Sequence, residues 1–233
     1  MSFGIGELSS ACSSIMSRLD VVTNNLANLG TPGFKVEHWR REERRDNQGA
    51  AGEGTSLYVD YSQGTLQPTD NAFDLALQGE GFFVIGTKAG TAYTRKGNFA
   101  LNKNNQVVTQ TGDLVLGEAG PISINGRQVD IDRAGMLQVD GAVAGKLKIV
   151  SFNKPQNLSK QGDGLFTDPG TAGPQKADKT DVLARNLESA NVNAIKEMVE
   201  MIDMQRSFES YQKVILTISD MDKLSASRVG RLA

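Results

Sequence analysis

Apolar residues recur at Ile5, Leu8, Cys12, Ile15, Leu19, Val22, Leu26 and Leu29, in alternating steps of three and four, with Ser10, Ser13, Ser17, Arg18, Asp20, Asn24 and Asn25 between them. This lays one apolar stripe along a helix, and a repeat nearer 3.5 than 3.6 residues predicts a coiled-coil seam. Gly30, Pro32 and Gly33 then stop the pattern abruptly. Gly30 suits a left-handed helix cap, and the residue before a proline is pushed out of the helical region. A second helix is predicted from about Asn191 to Leu224, with Asn191 or Asn193 able to cap its start. There Met201, Met204, Phe208, Tyr211, Ile215 and Ile218 keep the same stepping, while Ile195, Met198, Val199, Ile202, Val214, Leu216 and Met221 widen the apolar surface beyond one seam. A helix with so broad an apolar surface needs more than one partner.

Between the helices the period changes to two. FFVIG, AYTRKG, QVVTQTG, PISINGRQVDI, MLQVDGAVAG and KLKIVSF read as short strands, with Asn125-Gly126 and Asp140-Gly141 as the strongest hairpin signals. The predicted fold class is α+β: long terminal helices paired as a coiled-coil arm around a central all-β domain, a sandwich or irregular barrel. Its segments are residues 1–34, the N-terminal coiled-coil helix and its TPGF turn; 35–72, an extended connector; 73–180, the all-β domain; and 181–233, the C-terminal coiled-coil helix. Helices of roughly 25 and 32 residues measure about 38 and 48 Å, longer than a small β-domain is wide. A two-helix pair leaves part of the C-terminal helix bare, which points to packing against further copies.

Composition narrows the functional classes. The chain has 233 residues, a formal charge of -2, a sequence pI near 5.6 and a single cysteine, Cys12. It carries no basic field suited to nucleic acid and no possible intrachain disulfide. The first residues lack a Lys/Arg segment followed by an apolar run, and no window nears the roughly 18 consecutive apolar residues of a membrane span. No membrane span is therefore expected, and if the protein leaves the cytoplasm, it does so by a route other than the general secretory one.

No chemical constellation forms. The lone His38 has no second histidine to share a metal or a triad. Asp130, Asp132 and Gly135 resemble a calcium loop, but Ala134 takes a ligand position and Gly141 replaces the bidentate glutamate. Gly141, Gly145 and Lys146 are misspaced for a phosphate loop, and Gly79 and Gly81 lack the third glycine of a dinucleotide fingerprint. Ser210 and Lys213 sit within a helical pattern and read as a solvated face. Arg40, Arg41, Arg44 and Arg45 alternate with Glu42 and Glu43 and nearly neutralise them. Met198, Met201 and Met204 read as packing between copies. The expectation is a non-enzyme with no catalytic residues, metal ligands or cofactor.

SRLDVVTNNLANLGTPGFK, Ser17 to Lys35, resembles the N-terminal signature of bacterial flagellar rod and hook proteins, an amphipathic helix, NN-x-AN, then TPGF and a basic residue. ESANVNAIKEMVEMIDMQRSFESYQKVI, Glu188 to Ile215, resembles the matching C-terminal signature, and NAFDLALQGEGFFVI, AYTRKGNFALN, GPI and GKLKIVSF follow in the family's order. The short middle favours a rod subunit over the hook subunit. LGEAGPISI and the ending YQKVILTISDMDKLSASRVGRL favour a proximal-rod member, with a distal-rod member second. The resemblance implies a subunit of the basal-body rod, the hollow drive shaft that carries torque from motor to hook across the periplasm. It implies export through the flagellum's own type III apparatus. It also implies as partners other copies, other rod subunits and the surrounding rings.

The expected helix seams are Ile5, Leu8, Ile15, Leu19, Val22, Leu26 and Leu29 with Ile195, Val199, Ile202, Met204, Phe208, Tyr211, Ile215 and Ile218. The signature turn is Asn25, Asn28, Gly30, Thr31, Pro32, Gly33 and Phe34, where Gly30 stands in place of the family's more frequent Asn. That turn reads as a joint between two layers of an assembly, so changing Pro32 or Gly33 is expected to harm assembly more than the β-domain. A coiled-coil adaptor whose β-domain binds cell wall is the alternative from another class.

Overall fold

In the computed structural model, which describes residues 3–45, 51–126, 128–177 and 179–229, two helices bracket a β-rich middle. Helix α1 is Phe3–Ala27, and helix α2 is Ala194–Val229. Asn193 caps α2: its Oδ1 accepts from Lys196 N at 3.1 Å. The other candidate cap, Asn191, works elsewhere. The chain divides into two units, described separately below. One contains residues 1–27, 37–57 and 193–233, and the other contains 28–36 and 58–192.

In the first unit the helices pack against each other in opposite directions. Arg18 Nη2 meets Glu200 Oε1 at 3.4 Å, and seven residues later Asn25 Nδ2 meets Glu197 Oε2 at 3.0 Å, three residues earlier on α2. Strands β1 (Glu37–Arg45) and β2 (Ala51–Val59) pair as a two-stranded sheet, so much of the expected extended connector is β-structure.

The second unit is built from antiparallel strands, among them β3 (Leu66–Pro68), β4 (Leu75–Gln78), β5 (Phe82–Thr87) and β6 (Gly90–Thr94). Strand β5 is the spine of a ten-stranded open, branched sheet, pairing with β6 along one edge and with Leu114–Gly117 and Ile149–Phe152 along the other. Its run Phe82, Phe83, Val84, Ile85 is continuously apolar because both faces are covered. Phe83 and Ile85 join one core cluster with Leu75, Val115, Leu137 and Val182, whereas Phe82 joins a second with Phe152 and Phe166. Ring centroids of Phe83 and Phe99 lie 5.1 Å apart, those of Phe82 and Phe152 5.6 Å.

Asp140-Gly141 is the tight turn expected, with φ of 48° and 82°, joining Met136–Val139 to Ala142–Lys146. Asn125-Gly126 is not a hairpin: the strands flanking it, Gly120–Pro121 and Val129–Ile131, pair with different neighbours. Its glycine serves a close approach, since a Cβ at Gly126 would lie 2.3 Å from Val139 Cγ1 and from Asp140 Oδ2. Residues 181–192, expected to open the C-terminal helical segment, are instead largely strand: Asp181–Ala184 pairs with β4, and Asn186–Glu188 pairs with β3. Val182 fills the core there, so burial overrides any helical tendency.

Candidate functional site

Two features stand out, one in each unit: an apolar helical face, and a loop fastened by buried charge. On α2 the stepping read from the sequence separates the residues by burial. Met204 is buried, and Met201, Phe208, Tyr211, Ile215 and Ile218 are half-buried. The residues outside that seam, Ile195, Met198, Val199, Ile202, Val214, Leu216 and Met221, are all exposed, from 43% for Val214 to 77% for Ile195. On α1, Val22 is buried and Leu8, Ile15, Leu19 and Leu26 are half-buried. The side chain of Ile5 lies outside the described residues. Leu29 falls past the end of α1 and is 41% exposed, so it leaves the seam. An open groove of about 850 Å³ runs between the helices, lined by Ile15, Arg18, Ile195, Val199, Glu200 and Met204 among others.

Below this face Asn25 is wholly buried. Its Nδ2 donates to Glu37 O at 2.9 Å and to Glu197 Oε2, while its Oδ1 accepts from Glu37 N at 3.1 Å. One amide thus ties α1, the start of β1 and the first turn of α2. Glu197 sits where the positive end of the helix dipole favours a carboxylate. Asn25→Ala leaves Glu197, 2% exposed, and the Glu37 backbone without this partner. Unsatisfied buried groups of this kind cost about 1–3 kcal/mol, more when charged. Urea unfolding followed by far-ultraviolet circular dichroism is expected to show that loss, and an unchanged midpoint would discount the clamp.

The signature turn belongs to the second unit from Asn28 onward. Thr31 folds back on Asn28, N to O at 3.0 Å and Oγ1 to Oδ1 at 3.1 Å. Gly30 does not adopt the left-handed conformation expected of it; the positive φ in this turn is at Gly33, 65°. Gly33 lies against the Arg95–Lys96 peptide and donates its N–H to Glu188 O at 2.6 Å. Pro32 is half-buried, and Phe34 is buried with the Lys160 ammonium 4.6 Å from its ring centroid.

Next to this turn is a charge cluster that the sequence reading missed. Lys35 Nζ donates to Glu188 Oε1 at 2.6 Å, and Arg95 Nε donates to Glu188 Oε2 at 2.9 Å, with the Lys35 and Glu188 residues 1% exposed and Arg95 4%. Two cations share one carboxylate, and the remaining donors are satisfied by backbone. Lys35 also donates to Ser62 O, Arg95 Nη1 donates to the carbonyls of Gly79 and Gly81 at 2.9 and 2.7 Å, and Gly64 N donates to Glu188 Oε1 at 3.0 Å. Burial pushes the Lys35 ammonium below its ordinary range, with Glu188 pulling the other way, and Arg95 is lowered from the same cause. Asn191 completes the fastening: Val36 N donates to its Oδ1 at 2.8 Å, and its Nδ2 donates to Asp60 O at 2.9 Å. The available signal was slight: Lys35 lies between Phe34 and Val36, but Arg95 in YTRKG and Glu188 in NLES have polar neighbours.

Among the described residues, no group of three or more His, Cys, Asp or Glu is placed to hold a metal ion, and no helix is long and apolar enough to cross a membrane. Residues 8–35 match the family described as flagella basal body rod protein. Residues 76–139 match the flagellar hook protein FlgE/F/G D1 domain, and 184–228 the flagellar basal body rod FlgEFG protein C-terminal family. The flagellar basal-body rod protein FlgF of Caulobacter vibrioides is 30% identical over 226 residues, covering 92% of this chain and 92% of its own. FlgG of the same bacterium is 32% identical over 238 residues, covering 87% and 90%. FlgF of Mesorhizobium japonicum is 32% identical over 210 residues, covering 86% and 87%. Lys35, Arg95 and Glu188 fall one in each of the three matched segments.

Proposed function

The chain belongs to the flagellar basal-body rod protein family, and from that premise we propose that it polymerises through its terminal helices into the hollow drive shaft, as the FlgF member. Its relatives are structural rod proteins and not enzymes. The observation that carries the reading is the bare half of α2. Seven large apolar side chains outside the seam are about half exposed or more, and covering what each still exposes contributes about 1–2 kcal/mol. Equivalent helices of neighbouring subunits are the partners that the repeat on this helix fits, and a coiled-coil pairing of α1 with α2 is part of the same proposal.

The choice of FlgF over FlgG rests on LGEAGPISI, Leu116 to Ile124, on the C-terminal sequence, and on the fuller coverage of the Caulobacter vibrioides FlgF, 92% of this chain against 87% for FlgG. Identity does not separate the two. The shaft is proposed to cross the periplasm and transmit torque from motor to hook, reached through the flagellar type III export apparatus. Its proposed neighbours are other rod subunits and the surrounding rings. Imaging basal bodies that carry this chain with a density label is expected to place it in the rod segment nearest the membrane-embedded motor. Label at the hook end would assign it to the FlgG position, and label outside the rod would remove the reading altogether.

A further inference from the structure

Glu188 is separated from Lys35 by 153 residues and from Arg95 by 93. The segment that carries it brings three other things to the second unit. Val182 enters the main core, Asn191 closes onto Val36 and Asp60, and the backbone of 185–189 completes hydrogen bonds to Asp74, Thr69, Thr65 and Gly33. The fit is close: a Cβ at Gly64 would lie 2.0 Å from Ser189 O.

A chain made from its N-terminus emerges with Lys35 first, Arg95 second and Glu188 last. Until Glu188 arrives, closing the loop 28–36 over Arg95 would bury two cations without the carboxylate that touches both. Burying a charge without its partner costs several kcal/mol, comparable to the whole stability of a small domain. The hydrophobic sheet around β5 and β6 has no such dependence, because its ladder is closed by residues before 177.

We propose that the Lys35–Glu188–Arg95 cluster is a completion latch: the loop 28–36 docks only when the segment 181–192 has arrived, and the two open together as one cooperative element while the β5–β6 sheet stays formed. The device makes the second unit fold in two stages, a sheet that stands early and a closing step controlled by the last part of the unit to appear.

Native-state hydrogen exchange on the full chain in low denaturant tests this. In the unaltered protein the amides of Gly33, Val36, Gly64 and Ser189 are expected to converge on one opening reaction, less protected than amides of β5 and β6. Separate opening reactions for the loop and the 186–189 segment would overturn the proposal. In Glu188→Gln those amides are expected to exchange about a hundredfold faster or more, following the loss seen when one partner of a buried pair is removed, and to keep one common opening distinct from the larger opening that exposes β5 and β6. Val182→Ala, which touches the core but not the charges, is expected to speed the common opening of the loop and the 186–189 segment together, since Val182 belongs to the same element. Wild-type protection of Gly33 and Val36 in Glu188→Gln, or exchange of the loop amides only through the same opening as β5 and β6, would overturn the latch.

Discussion

Gly33→Val is expected to destabilise the 58–192 unit by at least about 3 kcal/mol, whereas Gly30→Ala, three residues earlier, is expected to stay within about 0.5 kcal/mol of the parent. A Cβ at Gly33 would lie 2.4 Å from Arg95 C, 2.5 Å from Arg95 O and 2.6 Å from Lys96 N. These are backbone atoms, so no rotamer change relieves the overlap. The φ of 65° adds a left-handed penalty, which for a β-branched residue is about 1–2 kcal/mol. The loop must therefore lift, and lifting it withdraws Lys35 from Glu188 and leaves the carboxylate with Arg95 alone. At Gly30 no atom lies within 4 Å of the added carbon, and φ is ordinary. Urea midpoints of the two full-length variants check the pair, and equal midpoints would show that the turn is not fastened as described. The sequence reading expected this turn to matter for assembly more than for the β-domain; at Gly33 the contacts add an expected loss within the domain itself.

The second large effect concerns assembly alone. Replacing Ile195, Val199 and Ile202 together by Asp is expected to abolish rod incorporation while leaving the unfolding of the isolated chain nearly unchanged. All three are about half exposed or more, at 77%, 54% and 47%. Their substitution therefore removes little from the folded monomer. In a polymer they are proposed to lie under a neighbouring helix, where covering the surface they still expose contributes about 3–5 kcal/mol in sum. Losing it weakens each contact by about a hundredfold or more, before the cost of burying the new carboxylates. Met204→Asp is the contrasting case: Met204 is 6% exposed within the helix pair, so it is expected to lower monomer stability as well. Incorporation of the triple variant into basal bodies at the parental level would remove this face from the proposed interface.

Periodic burial was the most legible property. The stepping of Met204, Phe208, Tyr211, Ile215 and Ile218 separated the shielded residues of α2 from the exposed ones because a helix repeats its environment every three or four positions. Asp140-Gly141 was legible because two consecutive positive φ angles demand such residues. A glycine chosen for space rather than for φ misled at Gly126, since its reason lies in a distant partner, Val139. The strands within 181–192 went unread, and the segment was grouped with the C-terminal helix, because the pull on those residues comes from β3 and β4, more than a hundred positions away. The charge cluster has the same character. Nothing local to Lys35 announces Glu188, and only the fold makes them neighbours.

Because the two cations and their carboxylate come from three separate stretches of chain, none of those stretches can be exchanged alone. A graft from a related protein carries one member of the set into the interior while the others stay with the host, and any mismatch strands an ion there. Chimeras cut between residues 35 and 95, or between 95 and 188, inherit that constraint however well their strands align. A chain that reads as a row of interchangeable modules is transferable at this point only as a whole.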